Sequence, residues 1–316
     1  MRGGYFSHPD RPQLGRGIDM QTSSSLAPGT TIAIVGAGRL GRVLARSLRT
    51  AGFDVLGPLR RDQSMPNADV ALLCVPDSAI PAVAFVARPH VRLVGHVSGA
   101  TPLDDVDFSI HPLQTFTGAE TPDVFHGIGA AVAGRTDDAR AVAEQLARAL
   151  GARPFTVDDR ASYHAAASFA SNFVLTVVDA AEQLAAAAGI PSDDVRQLLA
   201  PLVRRSVENW ADAGAQEALT GPIARGDGET VARQRSAAAE LDLQDLFDAL
   251  AAATRAIASR AEAPVRMSGE RTDAGRNAAD PPDIRPFSRQ VDGEATGEVT
   301  GEMAGEVTGE PKEPSA

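Results

Sequence analysis

The sequence of 316 residues has few of the residues on which several classes of protein depend. Its single cysteine, Cys74, lies in the apolar run VALLCVPD, which excludes an internal disulfide and a thiolate metal cluster. No H-E-x-x-H or comparable array occurs, so no metal is expected. No apolar run reaches the ~18 residues of a membrane-spanning helix. We therefore expect a soluble protein without a membrane partner, with the cytoplasm as the default compartment.

Lysine is almost absent as well. The one lysine, Lys312, lies near the C-terminus, and the net charge of −11 owes several units to acidic residues in the same segment. The arginines are scattered and form no basic stripe, which argues against a nucleic acid and leaves a small molecule as the expected partner.

Both ends differ in composition from the middle of the chain. Residues 1–29 are rich in Gly, Pro and Ser and lack the apolar core of a signal peptide, so we interpret them as a disordered leader. Residues 267–316 are polar and acidic and end in five G-E-x-x units. Such a segment buries too little apolar surface to fold, which predicts a disordered tail. Two folded parts remain, 30–157 and 158–266.

The stretch TIAIVGAGRLGRVLARSL places a glycine-rich turn between a β-branched run and an amphipathic helix. A G-x-G-x-x-G pattern in that context is typical of a dinucleotide-binding turn. Gly36 would make the tight turn, Gly38 would admit a pyrophosphate and Gly41 would let the helix approach the strand. The anion would lie on the backbone at the helix start, which comprises Gly36, Gly38, Arg39, Leu40 and Gly41.

Apolar β-type runs alternate with helical patterns as far as Val157, which predicts an α/β doubly wound parallel sheet. In such sheets ligands bind beyond the carboxyl ends of the strands. That rule selects two further segments for the cofactor, containing Val75, Pro76 and Asp77, and Ser98 and Gly99. Asp77 could equally cap the next helix, and Ser98-Gly99 could be a simple turn.

The residues after the second predicted strand bear on the choice of cofactor. An NAD site usually has a carboxylate there, whereas this sequence has Arg60 and Arg61. Paired guanidinium groups suit the 2′-phosphate of NADP. We predict NADP, with NAD or the deazaflavin coenzyme F420 as less favoured cofactors; solvated surface arginines are the alternative.

The second folded part is predicted to be all helical. A helix over 160–188 would bring three polar residues onto one stripe, because His164, Ser168 and Asn172 are spaced i, i+4, i+8. His111, after another predicted strand, is a second candidate proton donor. We assign catalysis to His164, Asn172, Ser168 and His111, with His164 as the general acid. The alternative is a polar network that only satisfies itself within the core.

The polar loop LTGPIARGDGET, residues 219–230, brackets one arginine with glycines and a proline. Arg225 would bind the carboxylate of an acidic substrate, with Thr220 and Gln114 as further substrate contacts. A solvated loop arginine is the competing interpretation.

Several motifs resemble those of a Rossmann-like family whose C-terminal half is a domain of unknown function, DUF2520. They are GAGRLG, LLCVPDSAI, HVSGA, IHPLQTF, YHAAASFASN and LTGPIARGD, within 31–264. The resemblance implies an architecture similar to ketopantoate reductases, pyrroline carboxylate reductases and β-hydroxyacid dehydrogenases. It also implies an NAD(P)-dependent oxidoreductase that forms a homodimer through its helical domain.

The sequence departs from those enzymes in its proton donor. β-Hydroxyacid dehydrogenases carry a catalytic lysine one helical turn before an asparagine, where this chain has Ser168 before Asn172. Three functions therefore stay open: a reductase of a small keto or imino acid such as ketopantoate, a non-catalytic NADP(H)-sensing protein, and a deazaflavin-linked NADP reductase.

Overall fold

The computed structural model describes residues 26 and 29–260. The predicted leader falls almost wholly outside these residues, and the predicted tail falls entirely outside them. Across the described part, no helix combines the length and apolar character needed to cross a membrane.

The first part of the chain forms one seven-stranded sheet in the order β2-β1-β3-β4-β5-β6-β7. β-Branched and apolar residues dominate the strands, since most of them are covered on both faces. The strands are β1 Thr31–Val35, β2 Asp54–Leu59, β3 Ala68–Leu73, β4 Val91–His96, β5 Phe108–Pro112, β6 Gly129–Gly134 and β7 Arg153–Phe155.

Three helices cover the two faces of this sheet: α1 Arg39–Thr50, α2 Ile80–Ala87 and α3 Asp137–Ala149. Alternate residues of β3 enter different cores, as the two-residue period of a strand requires. Val70 and Leu72 pack into the cluster that contains α1 and α3, whereas Ala71 and Leu73 pack into the one that contains α2. This two-sided burial confirms the doubly wound α/β fold.

The sheet is mostly parallel, as predicted, and departs from that pattern at one edge. Strands β1 to β5 are parallel, but β6 pairs antiparallel to β5, with Ile110 opposite Val132, and β7 then pairs parallel to β6. The link from β5 to β6 holds only a short 3-10 turn, Pro122–Phe125. A parallel return needs a longer crossover, usually a helix, and without one the chain comes back antiparallel.

After β7 every described element is helical, as predicted. The helices are α4 Arg160–Ala170, α5 Asn172–Ala187, α6 Ser192–Ala218, α7 Pro222–Arg225, α8 Gly228–Ala239 and α9 Gln244–Ala258. Asp159 caps α4 by accepting from the Ala161 N–H at 2.9 Å, and Asp227 caps α8 through the Thr230 N–H at 3.1 Å. Such caps satisfy N–H groups that the helix itself leaves unpaired.

The single helix predicted over 160–188 is broken. Ser171 leaves the helical region, with φ −130° and ψ −75°, and separates α4 from α5. The hydroxyls of Ser168 and Ser171 donate to the carbonyls of His164 and Ala167, four residues back. Serine bonds of this kind compete with the helical ladder and often bend helices, so two of them beside Ser171 are consistent with a break there, although the same bond from Thr176 and Ser206 leaves α5 and α6 helical.

Candidate functional site

The glycine-rich turn joins β1 to α1 at the carboxyl edge of the sheet. Gly36 has φ +114°, and a Cβ there would lie 2.2 Å from the Cys74 carbonyl oxygen. A Cβ on Gly41 would lie 1.9 Å from the Gly36 carbonyl oxygen. A Cβ on Gly38, in contrast, would meet nothing within 4 Å. Two glycines are therefore required by packing, while the middle one faces open space.

A cavity of 490 Å³ opens beside this turn. Gly36 and Gly38 line one side, Val75 and Pro76 line another, and apolar side chains that include Met65 and Val83 complete it. Arg60 and Arg61, which follow β2, also line it. The structure thus brings six of the twelve residues predicted for the cofactor to one cleft, and Arg39 and Leu40 open α1 directly after Gly38.

A second, shallower hollow continues this cleft at the arginines. It is lined by Ala37, Arg42, Pro58, Arg60 and Arg61. Within residues 26 and 29–260, none of the three arginines forms an ion pair. Sequence reasoning had not selected Arg42, which lies one residue after the last glycine of the turn.

A chain of contacts leads from the cleft to the histidines. Asp77, next to the cleft residue Pro76, accepts a hydrogen bond from the Ser98 hydroxyl at 2.9 Å. The short 3-10 helix that starts at Asp77 has no side-chain cap, so the carboxylate serves this contact and does not act as a helix cap. Gly99 follows Ser98, and a Cβ there would lie 2.8 Å from His164 Cδ2 and 2.9 Å from His111 Cε1.

His111 of β5 and two residues of α4 form the centre of this second region. The Nδ1 atom of His111 lies 2.6 Å from the Tyr163 hydroxyl, and their rings meet edge to face at 5.4 Å. The His164 ring lies 6.1 Å from that of His111. The structure thus places both predicted histidines together. It adds Tyr163, which the sequence motifs had not selected and which lies about 100° around the helix from His164.

The protonation states follow from burial. Burial, aided by the charges of His164 and Arg160, lowers the pKa of His111 to about 4. Burial also raises the pKa of Tyr163 to about 12, against the opposing charge of Arg160. Both groups are therefore neutral at pH 7, and their short hydrogen bond joins two neutral partners. His96 is buried below them and also has a lowered pKa because of desolvation.

Arg160, in the first turn of α4, completes this region. Its guanidinium donates to the Ser98 and Gly99 carbonyls, both at 3.3 Å, and to the Ser109 hydroxyl. Sequence reasoning missed Arg160 and the role of Tyr163, although both lie within one turn of His164. Both residues lie near the start of the helix that was predicted to carry His164, and this position could have identified them as candidates.

The remaining predicted residues make contacts of their own. The Ser168 hydroxyl donates to the His164 carbonyl at 3.2 Å, and Asn172 lies beyond the break at Ser171 and is exposed. The Gln114 side chain accepts from the Thr115 N–H at 2.8 Å. Arg225 belongs to α7, which packs on α8 and α9, and Thr220 precedes that helix. The roles of these residues stay predictions.

No group of His, Cys, Asp or Glu side chains in the described ranges could hold a metal ion. Cys74 is buried, which raises the pKa of its thiol to about 12 and leaves it unreactive at neutral pH.

Together the sheet, the glycine turn and the helical second part define a Rossmann-like protein. Residues 128–254 match the model of a family described as a domain of unknown function, DUF2520. This match confirms the resemblance that the sequence motifs had suggested.

Two solved structures share the fold closely. One is a Bacteroides fragilis protein described as a proposed NADP oxidoreductase; its TM-score is 0.62 at 23% identity, over 72% of this chain and 99% of that chain. The other is a Thermotoga maritima protein with a TM-score of 0.62 at 21% identity, over 72% of this chain and 100% of that one.

A third structure, a pyrroline-5-carboxylate reductase from Streptococcus pyogenes, has a TM-score of 0.50 at 15% identity, over 73% of this chain and 99% of that chain. Likeness at these identities shows the fold alone. No curated protein matches the chain.

Proposed function

We propose that this protein is an NADP(H)-dependent oxidoreductase that reduces a small keto or imino acid, with ketopantoate as the most specific candidate. The observation that carries the proposal is the continuous path between the two regions. It runs from the glycine-turn cleft through Pro76 and Asp77 to Ser98 and Gly99, against which both histidines pack. A cofactor cleft that leads to a group of proton donors is the arrangement that a reductase requires.

The cleft has the chemistry to hold a dinucleotide phosphate. Gly38 leaves open space where a side chain would stand, and the free N–H groups at the start of α1 lie next to it. Arg60, Arg61 and Arg42 converge without a carboxylate partner, which favours the 2′-phosphate of NADP over NAD.

The bound cofactor would supply the hydride, and the chain would supply the proton. We assign the proton donor to Tyr163, whose hydroxyl contacts His111 Nδ1. As Tyr163 gives its proton to the substrate oxygen or nitrogen, the Nδ1–H of His111 passes a proton to the phenolate while His111 Nε2 accepts one from water. The imidazole thus stays neutral, and the hydroxide left behind is neutralised by bulk solvent. His164 is exposed beside it and connects this pair to solvent.

The substrate contacts remain proposals. Asn172, Thr220, Gln114 and Arg225 are exposed polar residues, and Arg225 would pair with a substrate carboxylate. Ser168 also remains a proposal, since its hydroxyl donates to the His164 carbonyl and can still accept a hydrogen bond.

We also propose that the active form is a homodimer in the cytoplasm, joined through the helical part. Six successive residues at the start of α5, 172–177, are all exposed, and four of them are large and apolar. A contiguous exposed apolar surface of this kind is typical of an interaction site. The residues outside the described ranges are mostly polar, which favours a second copy as the cover.

Two measurements test the proposed function. We expect NADPH to bind at least tenfold more tightly than NADH, as measured by the change in fluorescence on binding. We also expect NADPH to be oxidised in the presence of a small 2-keto or cyclic imino acid. Absence of NADPH binding would overturn the proposal.

Binding without oxidation of NADPH by any substrate would favour the non-catalytic sensing protein, which the absence of lysine from the described residues supports. Reduction of NADP by reduced deazaflavin would select the deazaflavin-linked enzyme.

A further inference from the structure

We infer that Arg160 is the positioning residue of this site: its guanidinium ties α4 to the Ser98–Gly99 turn and thereby sets the geometry of the His111–Tyr163 pair. The catalytic consequence rests on the proposed function. The positioning itself is a property of the folded protein and can be measured without a substrate.

The contacts of Arg160 join three elements. One guanidinium nitrogen donates to two successive carbonyls of the turn after β4, those of Ser98 and Gly99, each at 3.3 Å. The other terminal nitrogen donates to the hydroxyl of Ser109, a fully buried residue of β5. The planar, rigid fork of arginine can hold several acceptors at fixed angles, which a lysine ammonium cannot do.

Arg160 has no acidic partner. No Asp or Glu of the described residues lies within ion-pair distance of it, and the side chain is half-buried, which lowers its pKa. Placing a cation there costs free energy that a structural Met or Leu would not incur. Such a cost suits a residue whose charge and hydrogen bonds act on the neighbouring groups.

Those neighbours are the proposed proton donors. Arg160 and Tyr163 are spaced i, i+3 and therefore share one face of α4. The turn that Arg160 holds ends in Gly99, whose Cα lies so close to both imidazoles that a Cβ would overlap them. A shift of this turn would therefore move His111 and His164 as well, so fixing the turn fixes the rings.

The charge of Arg160 acts on the same pair. His111 is faced by His164 and Arg160 from α4, by His96 from β4 and by Asp77 from the end of β3, and Arg160 lowers its pKa. Arg160 also lowers the pKa of Tyr163 against the effect of burial. Loss of Arg160 should therefore make His111 easier to protonate and Tyr163 a weaker acid.

The test compares Arg160→Met and Arg160→Lys with the matched control Arg153→Met. Arg153 also donates to a backbone carbonyl, that of Gly127, but on the far strand β7. We expect NMR titration to show the His111 midpoint raised by about 0.5–1 pH unit in Arg160→Met and unchanged in Arg153→Met. Arg160→Lys keeps the charge and should largely retain the midpoint.

Turnover provides the second readout. In Arg160→Met, kcat should fall by about 10- to 100-fold, with NADPH affinity within about twofold, and added guanidinium ion should restore part of the loss. Arg160→Lys should lose kcat by less, because it keeps the charge without the fork.

Two outcomes would overturn the inference. One is a His111 titration that is identical in Arg160→Met and the unaltered protein. The other is a kcat equal to that of Arg153→Met. If Arg160→Met fails to fold, Arg160→Lys replaces it in the test. A kcat and a ring geometry in Arg160→Lys equal to those of the unaltered protein would then overturn the inference. If no substrate is found, the proposed function fails, while the titration still decides the role of Arg160.

Discussion

Tyr163 is the residue on which the proposed chemistry depends most. Its hydroxyl contacts His111 Nδ1, and the pair is neutral at pH 7. We predict that Tyr163→Phe lowers kcat by about 10²- to 10³-fold, because phenylalanine keeps the packing of the ring but lacks the hydroxyl that donates the proton. Steady-state NADPH oxidation measures this, with NADPH affinity unchanged.

Tyr5→Phe, which alters the only other tyrosine, is the control. Full activity in Tyr163→Phe would move the donor role to His164, the residue that the sequence alone had favoured.

His111 makes stability depend on pH. Its folded pKa of about 4 lies below its ordinary value of 6.5. As pH falls from above 6.5 to about 4, the unfolded chain takes up a proton that the folded chain refuses, so unfolding becomes easier. Because solvent reaches the ring, we expect a loss of roughly 1–2 kcal/mol.

Urea unfolding at pH 7 and pH 4.5 measures this loss, and His111→Asn should remove that part of it. The difference between the two proteins matters because His96 has a lowered pKa too. Equal losses in both proteins would contradict the assignment to His111.

At the residue scale the sequence identified the histidines but not their partners. His111 and His164 were selected as the residue types that exchange protons near neutral pH. In an ideal helix Tyr163 lies about 100° from His164, so the helix pattern does not join the two residues, yet the ring of His111 on β5 contacts both of their rings. A contact across 52 residues depends on how β5 packs against α4, which no local pattern contains.

The element that the sequence predicts best is the β1–α1 turn, and its glycines differ in what they permit. We predict that Gly36→Ala destabilises the fold by more than about 2 kcal/mol, because its φ of +114° and the nearby Cys74 carbonyl both oppose a side chain. Gly38→Ala should fold normally, since φ there is −68° and no atom is near.

Gly38→Ala should nevertheless bind NADPH about tenfold or more weakly, because the added methyl group points into the cleft. Urea unfolding and NADPH fluorescence separate the two effects. Unaltered NADPH affinity in Gly38→Ala would show that the ligand does not approach this turn.

The α4–α5 segment is the element that the sequence predicts least well. Helix-forming residues run through it without a Gly or Pro, so periodicity indicates one helix. Serine hydroxyls bond to their own helix on the N-terminal side of Ser171, but such bonds disturb a regular helix only slightly and also occur in the unbroken α8 and α9. The preferences for a continuous helix and for a broken one are of similar size here, so they cannot be ranked from sequence. The break separates Asn172 from His164.

At the scale of the whole molecule, the exposed apolar surface of the helical part predicts self-association. Helices α4 to α6 expose nine large apolar side chains: Phe169, Phe173, Val174, Leu175, Val177, Leu198, Leu202, Val207 and Trp210. Together they present on the order of 800 Å², about what each partner buries in a stable interface. A second copy offers a surface of the same size and chemistry.

We predict that Phe173→Asp combined with Leu175→Asp yields a monomer by light scattering. NADPH binding should be retained, since the cleft lies among β1, β2, β3 and α2. Phe85→Asp on α2, an equally apolar and exposed position, serves as the control and should leave the mass unchanged. An unaltered protein that is already monomeric would contradict this prediction.

The sequence by itself determined the class of fold and predicted a place for the cofactor. Strand periodicity, the spacing of Gly36, Gly38 and Gly41, and the order of the elements can each be recognised from the sequence without knowledge of how the chain packs. Only the tertiary structure decided that β6 returns antiparallel, that Ser171 breaks the helix and that Tyr163 and Arg160 join His111. These depend on contacts between distant segments, whose free energies are settled by packing and burial in the folded chain.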